Sequence, residues 1–306
     1  LSELSRKQQP FFLITGFRKP HLPFVAPKRY WDLYDRASLP LARFQEHARN
    51  SPDIAYHGSQ ELRKGYSDID DDIHKPIPPA KQRELIHGYY ACVSYVDAQI
   101  GKVLRQLDTL GLTKNTIIVL IGDHGWHLGD HGLWCKHTNF ENATRSPMII
   151  VPPGSRSGKK LSAPVEYLDV FPTLCSLAGL PIPSELDGKS LTSLMKGVVS
   201  DSATWYAVSQ YPRGGGNRRL MGYSLRTRQY RYTAWYPWDM AKGTVKAFSP
   251  VAEELYDYRQ DPLETVSRIK DPRYLSVRNS LKALLEKHLR NGQRVKDNLP
   301  VAVPSP

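Results

Sequence analysis

No stretch of this 306-residue sequence approaches the roughly 18 consecutive apolar residues that a membrane helix requires. Mean hydropathy is −0.47, and a transmembrane segment is excluded for these residues. Cysteine is scarce: Cys92, Cys135 and Cys175 are the only three, and no two stand in C-x-x-C spacing. A disulfide framework and a structural zinc site are therefore both disfavoured. The 24 prolines and 21 glycines are scattered, without a collagen-like period or an internal repeat. The first residues carry no charged stretch leading into an apolar one, so no signal-peptide pattern is visible. Leu1–Lys7 reads instead as the last turns of a helix.

What is present suits a globular protein. Hydrophobic residues make up 40% and charged residues 24%, enough apolar side chains for a sizeable core. The length suggests roughly two domains, or one large α/β domain with an appendage. Forty-two basic against 30 acidic side chains leave +12, with a pI near 9.5. That balance favours a polyanionic partner: nucleic acid, an anionic membrane surface, or a sulfated or phosphorylated substrate. A merely soluble basic surface explains it as well.

Pro10–Ile14 reads as a strand apolar on both faces. Residues 16–80 are mostly loop, and Ser67–Asp72 within them is an acidic run. It lacks the glycine and terminal glutamate of a calcium-binding loop and reads as solvated. A helix follows Pro78-Pro79, with Leu85, Ile86, Tyr89, Val93, Val96, Ile100, Val103, Leu104 and Leu107 at steps of three and four. Gly111 stands at its C-cap. Thr116–Ile121 and Met148–Val151 read as buried strands, so an open, mainly parallel central sheet flanked by helices is expected. Beyond residue 200, short aromatic-rich strands around Trp205–Ser209, Met221–Leu225 and Tyr230–Trp235, separated by turns such as Gly214–Gly216, predict a smaller antiparallel sheet. Leu275–Leu289 restores helical spacing, and Val301–Pro306 reads as frayed.

The densest reactive cluster, Asp123–His137, holds four histidines and two aspartates in fifteen residues. It starts two residues past a buried strand, where open α/β sheets place their ligands. A carboxylate beside an imidazole (Asp123-His124) suits a divalent cation, and Lys136 suits an anionic group. Polar residues after a strand also cap helices, and His127 and His131 can simply flank a turn. There is no H-E-x-x-H, and no spacing that dictates a zinc site.

Asp123-His124-Gly125-Trp126-x-Leu128-Gly129-x-His131-Gly132-x-Trp134-x-Lys136 resembles the metal and substrate segment of type I sulfatases, in the iduronate-2-sulfatase-like branch of the alkaline-phosphatase-like superfamily. Phe17–Phe24, with Lys19-Pro20-His21, is similar to that branch's K-P-H-x-P-F segment. Tyr89, Ala91, Ser94, Tyr95 and Asp97 on the long helix, then Leu168–Leu174, Ser209–Arg213 and Met221–Ser224, extend the resemblance over nearly the whole chain. It implies that 1–200 is the C-terminal part of a sulfatase α/β catalytic domain and 201–306 a smaller α+β subdomain. The activity implied is sulfuric-ester hydrolysis on sulfated sugars, uronate 2-sulfates of glycosaminoglycans among them. The partner implied is a sulfated saccharide, with neither nucleic acid nor membrane, and the compartment periplasmic, extracellular or lysosomal. Asp123 and His124 map to Ca2+ ligands, Lys136 to the sulfate-contacting lysine, and His21 to the histidine that aids the leaving alcohol. Lys19, Trp126, Gln210 and Arg213 are candidate substrate contacts.

The resemblance also exposes a gap. Sulfatases use a formylglycine made within C/S-x-P-x-R, and neither that motif nor an Asp-Asp pair before residue 70 occurs here. The formylglycine is therefore expected in an N-terminal part that these 306 residues do not include. Alternatives are a non-catalytic polyanion-binding remnant, or a phosphatase or phosphonate-ester hydrolase of the same superfamily.

Overall fold

Local chemistry sets the order of the elements in the computed structural model, which describes residues 1–7, 9–155, 158–198, 205–215 and 219–297. Helices α1 (Ser2–Arg6), α2 (Lys28–Trp31), α3 (Gln60–Gly65) and α4 (Pro79–Thr109) come first. They are followed by strands β1 (Ile118–Ile121), β2 (His127–Leu128) and β3 (Trp134–Cys135), then α5 (Glu141–Thr144), β4 (Met148–Val151), α6 (Val170–Leu177) and α7 (Thr192–Lys196). The C-terminal part holds β5 (Tyr206–Arg213), β6 (Leu220–Thr227), β7 (Tyr230–Asp239), β8 (Thr244–Val245), β9 (Ala252–Asp257) and α8 (Leu275–Asp297). No described helix is long and apolar enough to cross a membrane.

The long helix α4 opens on Pro79, where a missing N–H leaves no partner wanting, and runs out at Gly111, whose φ of +69° suits glycine. Its N-terminal half buries Leu85, Ile86 and Cys92 in a core with Leu22, Phe24, Leu62 and Trp134. The expected apolar stripe is covered at Leu85, Ile86 and Leu107 but open between them, where Val93 and Leu104 are exposed.

Strands β1 and β4 form as the β-branched runs predict, but they pair antiparallel, Ile118 opposite Val151. The parallel pairing expected of them is corrected, and every strand ladder among the described residues is antiparallel. A parallel return needs a crossover, usually helical. The intervening residues instead fold as the β2–β3 hairpin and the single turn α5, which bring the chain back alongside β1. Ile121 and Ile149 of this pair are exposed. The strand expected at Pro10–Ile14 is also corrected: these residues are extended without a ladder, and Phe12 and Ile14 face solvent. An apolar run gains strand structure only when a neighbouring strand takes its backbone hydrogen bonds.

The aromatic-rich C-terminal segments build an antiparallel sheet in the order β5-β6-β7-β8, with β9 also pairing β7. One face packs Leu225, Tyr232, Tyr236 and Leu255 against Leu281, Leu285 and Leu289 of α8. The other meets the first half of the chain through Ala48, Tyr56, Leu133 and Phe140 against Trp235 and Tyr256. The α/β class with a smaller antiparallel sheet and helix is thus as expected. The boundary at 200, Gly216 of the expected turn, and Val301–Pro306 lie outside the described residues.

A buried ionic network fastens α5 to this sheet. Arg231 Nη2 donates to Glu141 Oε2 at 2.5 Å, Arg226 Nε to the same oxygen at 3.0 Å, and Arg231 Nε to Glu264 Oε1 at 2.9 Å. Burial alone would raise the Glu141 carboxyl, but the Arg231 and Arg226 charges hold it down at about 2. The segment bearing Lys136 and His137 is thereby anchored on β6 and β7.

Candidate active site

Past β1 the backbone turns sharply, and Gly125 makes the turn possible. A Cβ there would lie 2.0 Å from the Asn142 carbonyl oxygen, so no side chain fits. The neighbouring Asp123 carboxylate is exposed, its Oδ1 accepting the His124 backbone N–H at 3.1 Å. His124 Nδ1 lies 2.8 Å from the Gly125 carbonyl oxygen. A carbonyl only accepts, so Nδ1 carries the hydrogen, and Nε2 faces Asp123 Oδ2 at 3.5 Å. Two metal-type donors thus stand side by side. They fit the protein's share of a site for a hard divalent cation but do not complete one. Among the described residues no group of three or more His, Cys, Asp or Glu converges on a metal position.

The chemically richest contact joins three distant segments. Lys136 follows Cys135, whose φ of +71° turns the chain out of β3. Its ammonium lies 2.6 Å from Glu61 Oε1 of α3 and 2.8 Å from His21 Nε2. The same Glu61 oxygen is 2.9 Å from His21 Nε2, and His137 Nδ1 is 3.7 Å from Glu61 Oε2. His21 Nδ1 is 2.7 Å from the Leu22 carbonyl oxygen and must donate to it, which aims Nε2 at the cluster. Burial would raise the Glu61 carboxyl, but the hydrogen bond and charge of Lys136, with His137 and His21, keep it below its ordinary value.

Trp126 joins this cluster to the Asp123–His124 pair. Its ring stacks on His124 at 5.9 Å, meets the edge of His21 at 5.4 Å, and lies 5.0 Å beneath the Lys136 ammonium. His57 packs 5.7 Å from His137. Burial, then the Arg213 and His137 charges, push it down to about 3, so it is neutral. Burial likewise lowers His137, with Glu61 pulling the other way and Lys136 and Arg213 adding to the drop.

The structure therefore brings together His21, Lys136, Trp126, Asp123 and His124. The other expected contacts sit differently. Lys19 folds back on its own loop, its ammonium on the carbonyls of His21 and Pro23. Arg213 is a staple: it donates to the carbonyls of Ile54 at 3.1 Å, Ala55 at 3.3 Å and His137 at 2.6 Å. Gln210 is exposed on β5, and strand alternation puts it on the opposite face from Tyr211, the residue that approaches His137. His127 and His131, the doubtful members of the sequence cluster, are interior groups. His127 is fully buried, 2.8 Å from Thr138 Oγ1, and burial drives it well below its ordinary value; His131 donates from Nε2 to the Glu264 carbonyl. Glu61, His57 and Tyr211 escaped the sequence reading. Glu61 and His57 lie in segments without a motif, and Tyr211 sits within Ser209–Arg213 beside the residues singled out there; only the tertiary fold brings the three to the cluster.

Comparison with known proteins gives two family matches. The model described as "Sulfatase" matches residues 1–180, and that described as "N-sulphoglucosamine sulphohydrolase, C-terminal" matches residues 129–291. The chain is 31% identical to mouse iduronate 2-sulfatase, over 92% of this chain and 62% of that protein. It is 33% identical to the human iduronate 2-sulfatase, over 89% and 60%. It thus spans about three fifths of these relatives' length. Among solved structures it resembles a phosphonate monoester hydrolase from Silicibacter pomeroyi, with TM-score 0.68 and 25% identity, covering 88% of this chain and 54% of that one.

Proposed function

Because the chain belongs to the sulfatase family, we propose that it forms the sulfate-gripping portion, and part of the metal-holding portion, of a sulfuric-ester hydrolase acting on sulfated sugars. Uronate 2-sulfates of glycosaminoglycans are the proposed substrates. The observation that carries this reading is the meeting of Lys136 and His21, 115 residues apart in sequence, at 2.8 Å. An ammonium and an imidazole converging beside an aromatic face suit a sulfate monoester: one charge to hold its oxygens, one nitrogen to serve its leaving oxygen.

In this reading Lys136 binds the sulfate group, which every substrate shares. His21, its Nδ1 proton fixed on the Leu22 carbonyl, presents Nε2 to the departing sugar oxygen and gives it a proton. Trp126 offers a flat apolar wall against the sugar. Asp123 and His124 would hold Ca2+, which supplies positive charge against the sulfate oxygens. The formylglycine nucleophile finds no fit here: all three cysteines are buried and none lies in the required motif, so no step of this chain runs through it. We assign the nucleophile to a further sulfatase segment. The shared length with the relatives supports that assignment, as do the exposed apolar side chains of α4, β1 and β4.

A phosphonate-ester hydrolase is the second reading, favoured by the structural likeness to the Silicibacter enzyme. The test is substrate choice. The full-length protein carrying this chain should hydrolyse a 2-sulfated uronate far faster than a phosphonate monoester, and this chain alone should turn over neither. The reverse preference would establish the second reading. Saccharide binding without turnover by the full-length protein would establish a non-catalytic role.

A further inference from the structure

His21 faces a difficulty at its own site. To donate a proton from Nε2 while Nδ1–H is held by the Leu22 carbonyl, the ring must be a cation, yet the Lys136 ammonium stands 2.8 Å from that nitrogen. Two arrangements satisfy the distances. In one, Lys136 donates to the bare Nε2 and His21 is neutral, an acceptor with nothing to give. In the other, Nε2–H donates to Glu61 Oε1 at 2.9 Å, while Lys136 donates to the same oxygen at 2.6 Å. Only the second arms His21 as an acid, and it exists only because a carboxylate lies between two cations.

We propose that Glu61 is a positioning residue that keeps the His21 imidazolium in place beside Lys136 and so makes His21 a proton donor. The inference rests on the sulfatase reading above and deepens it by naming the group on which the leaving-group step depends. Glu61 is well placed for the task. Three cation-capable side chains surround it, Lys136 and His21 on Oε1 and His137 at 3.7 Å from Oε2. The buried Cys135 thiol also reaches this carboxylate, and burial together with the Glu61 charge raises that thiol and keeps it neutral. The other charged groups around this centre, Arg213 behind His137 and Lys19 on the His21 carbonyl, are cations and would only oppose a charged imidazole. When the S–O bond to the sugar breaks, its electron pair stays on the sugar oxygen, which takes the Nε2 proton. The sulfuryl group would be taken by a nucleophile that this chain does not supply, and the part played by this chain is the proton alone. The neutral ring that remains can then accept from Lys136, which restores the first arrangement.

The test compares Glu61→Gln and Glu61→Asp in the full-length protein, with an alkyl sugar sulfate and a nitrophenyl sulfate as substrates. Glu61→Gln keeps the shape and removes the charge. It should lower kcat/KM on the sugar sulfate on the order of 10- to 100-fold more than on the aryl sulfate, whose leaving group needs little protonation. The sugar-sulfate loss should shrink as pH falls, because a proton-rich medium offsets the missing carboxylate. Glu61→Asp should recover most of the activity. Equal, pH-independent losses on both substrates would reduce Glu61 to a packing group and overturn the proposal. A parent protein with no sulfatase turnover would instead overturn the sulfatase reading, and this inference with it.

Discussion

Arg231 offers the sharpest test of how the site-bearing loop is held. Its guanidinium is 2% exposed and lies between Glu264, also 2% exposed, and Glu141, 15% exposed. Replacing it by methionine keeps much of the volume but strands two interior carboxylates. Breaking a buried pair in this way typically costs about 3–5 kcal/mol. Arg231 and Arg226 together hold the Glu141 carboxyl at about 2 rather than 4.5, which is worth about 3 kcal/mol at 1.36 kcal/mol per tenfold change. Because the folded value is depressed, that stability is fully present above about pH 4.5 and is lost as pH falls toward about 2. Arg231→Met should therefore be less stable by roughly 3–5 kcal/mol at pH 7 in urea titration. The gap should narrow as pH falls toward about 2, as the stranded Glu141 carboxylate takes up a proton. A gap that stays constant down to pH 2, or one below about 1 kcal/mol at pH 7, would refute the ionic account and leave only packing.

Other outcomes follow from the site itself. In the full-length protein, Lys136→Ala should slow all sulfate esters alike, whereas His21→Ala should damage sugar sulfates by about 10²–10⁴-fold and spare aryl sulfates; parallel kcat/KM series decide it. The chain alone should bind Ca2+ with a Kd on the order of millimolar, because Asp123 and His124 are only part of a shell, and Asp123→Ala should abolish that binding in calorimetry. Gly125→Ala, which drives a Cβ against the Asn142 carbonyl, should lower Tm and weaken Ca2+ binding together; an unchanged melting curve would contradict the close approach.

How far the sequence could be read depended on how local each signal was. The period of α4, the β-branched runs of β1 and β4 and the aromatic strands beyond Trp205 are local patterns, and each formed the expected element. Strand direction is not local. Nothing in Met148–Val151 says whether it returns parallel or antiparallel; the hairpin and the single turn α5 decide that. The site divides in the same way. Asp123, His124 and Lys136 announce themselves inside one dense segment, whereas His21 is legible only through the resemblance of Lys19-Pro20-His21 to a family segment. Glu61 sits in a short helix, Gln60–Gly65, with no motif around it, and becomes visible only when α3 packs against β3. Arg213 is a candidate substrate contact by sequence; its fold makes it a clamp on three carbonyls.

The β1–β4 pair also bears on how this polypeptide behaves in a test tube. Among the described residues each strand has a neighbour on one flank only, and the outer flanks leave main-chain donors and acceptors unclaimed beside Ile121 and Ile149. Two short, uncharged, β-branched flanks are a template for intermolecular strand addition. The 306 residues produced alone should therefore self-associate as concentration rises, despite a net charge of +12 that would otherwise keep molecules apart. A lysine at Ile149, placed on the exposed side of the strand, should suppress that stickiness without touching the Lys136–His21 centre.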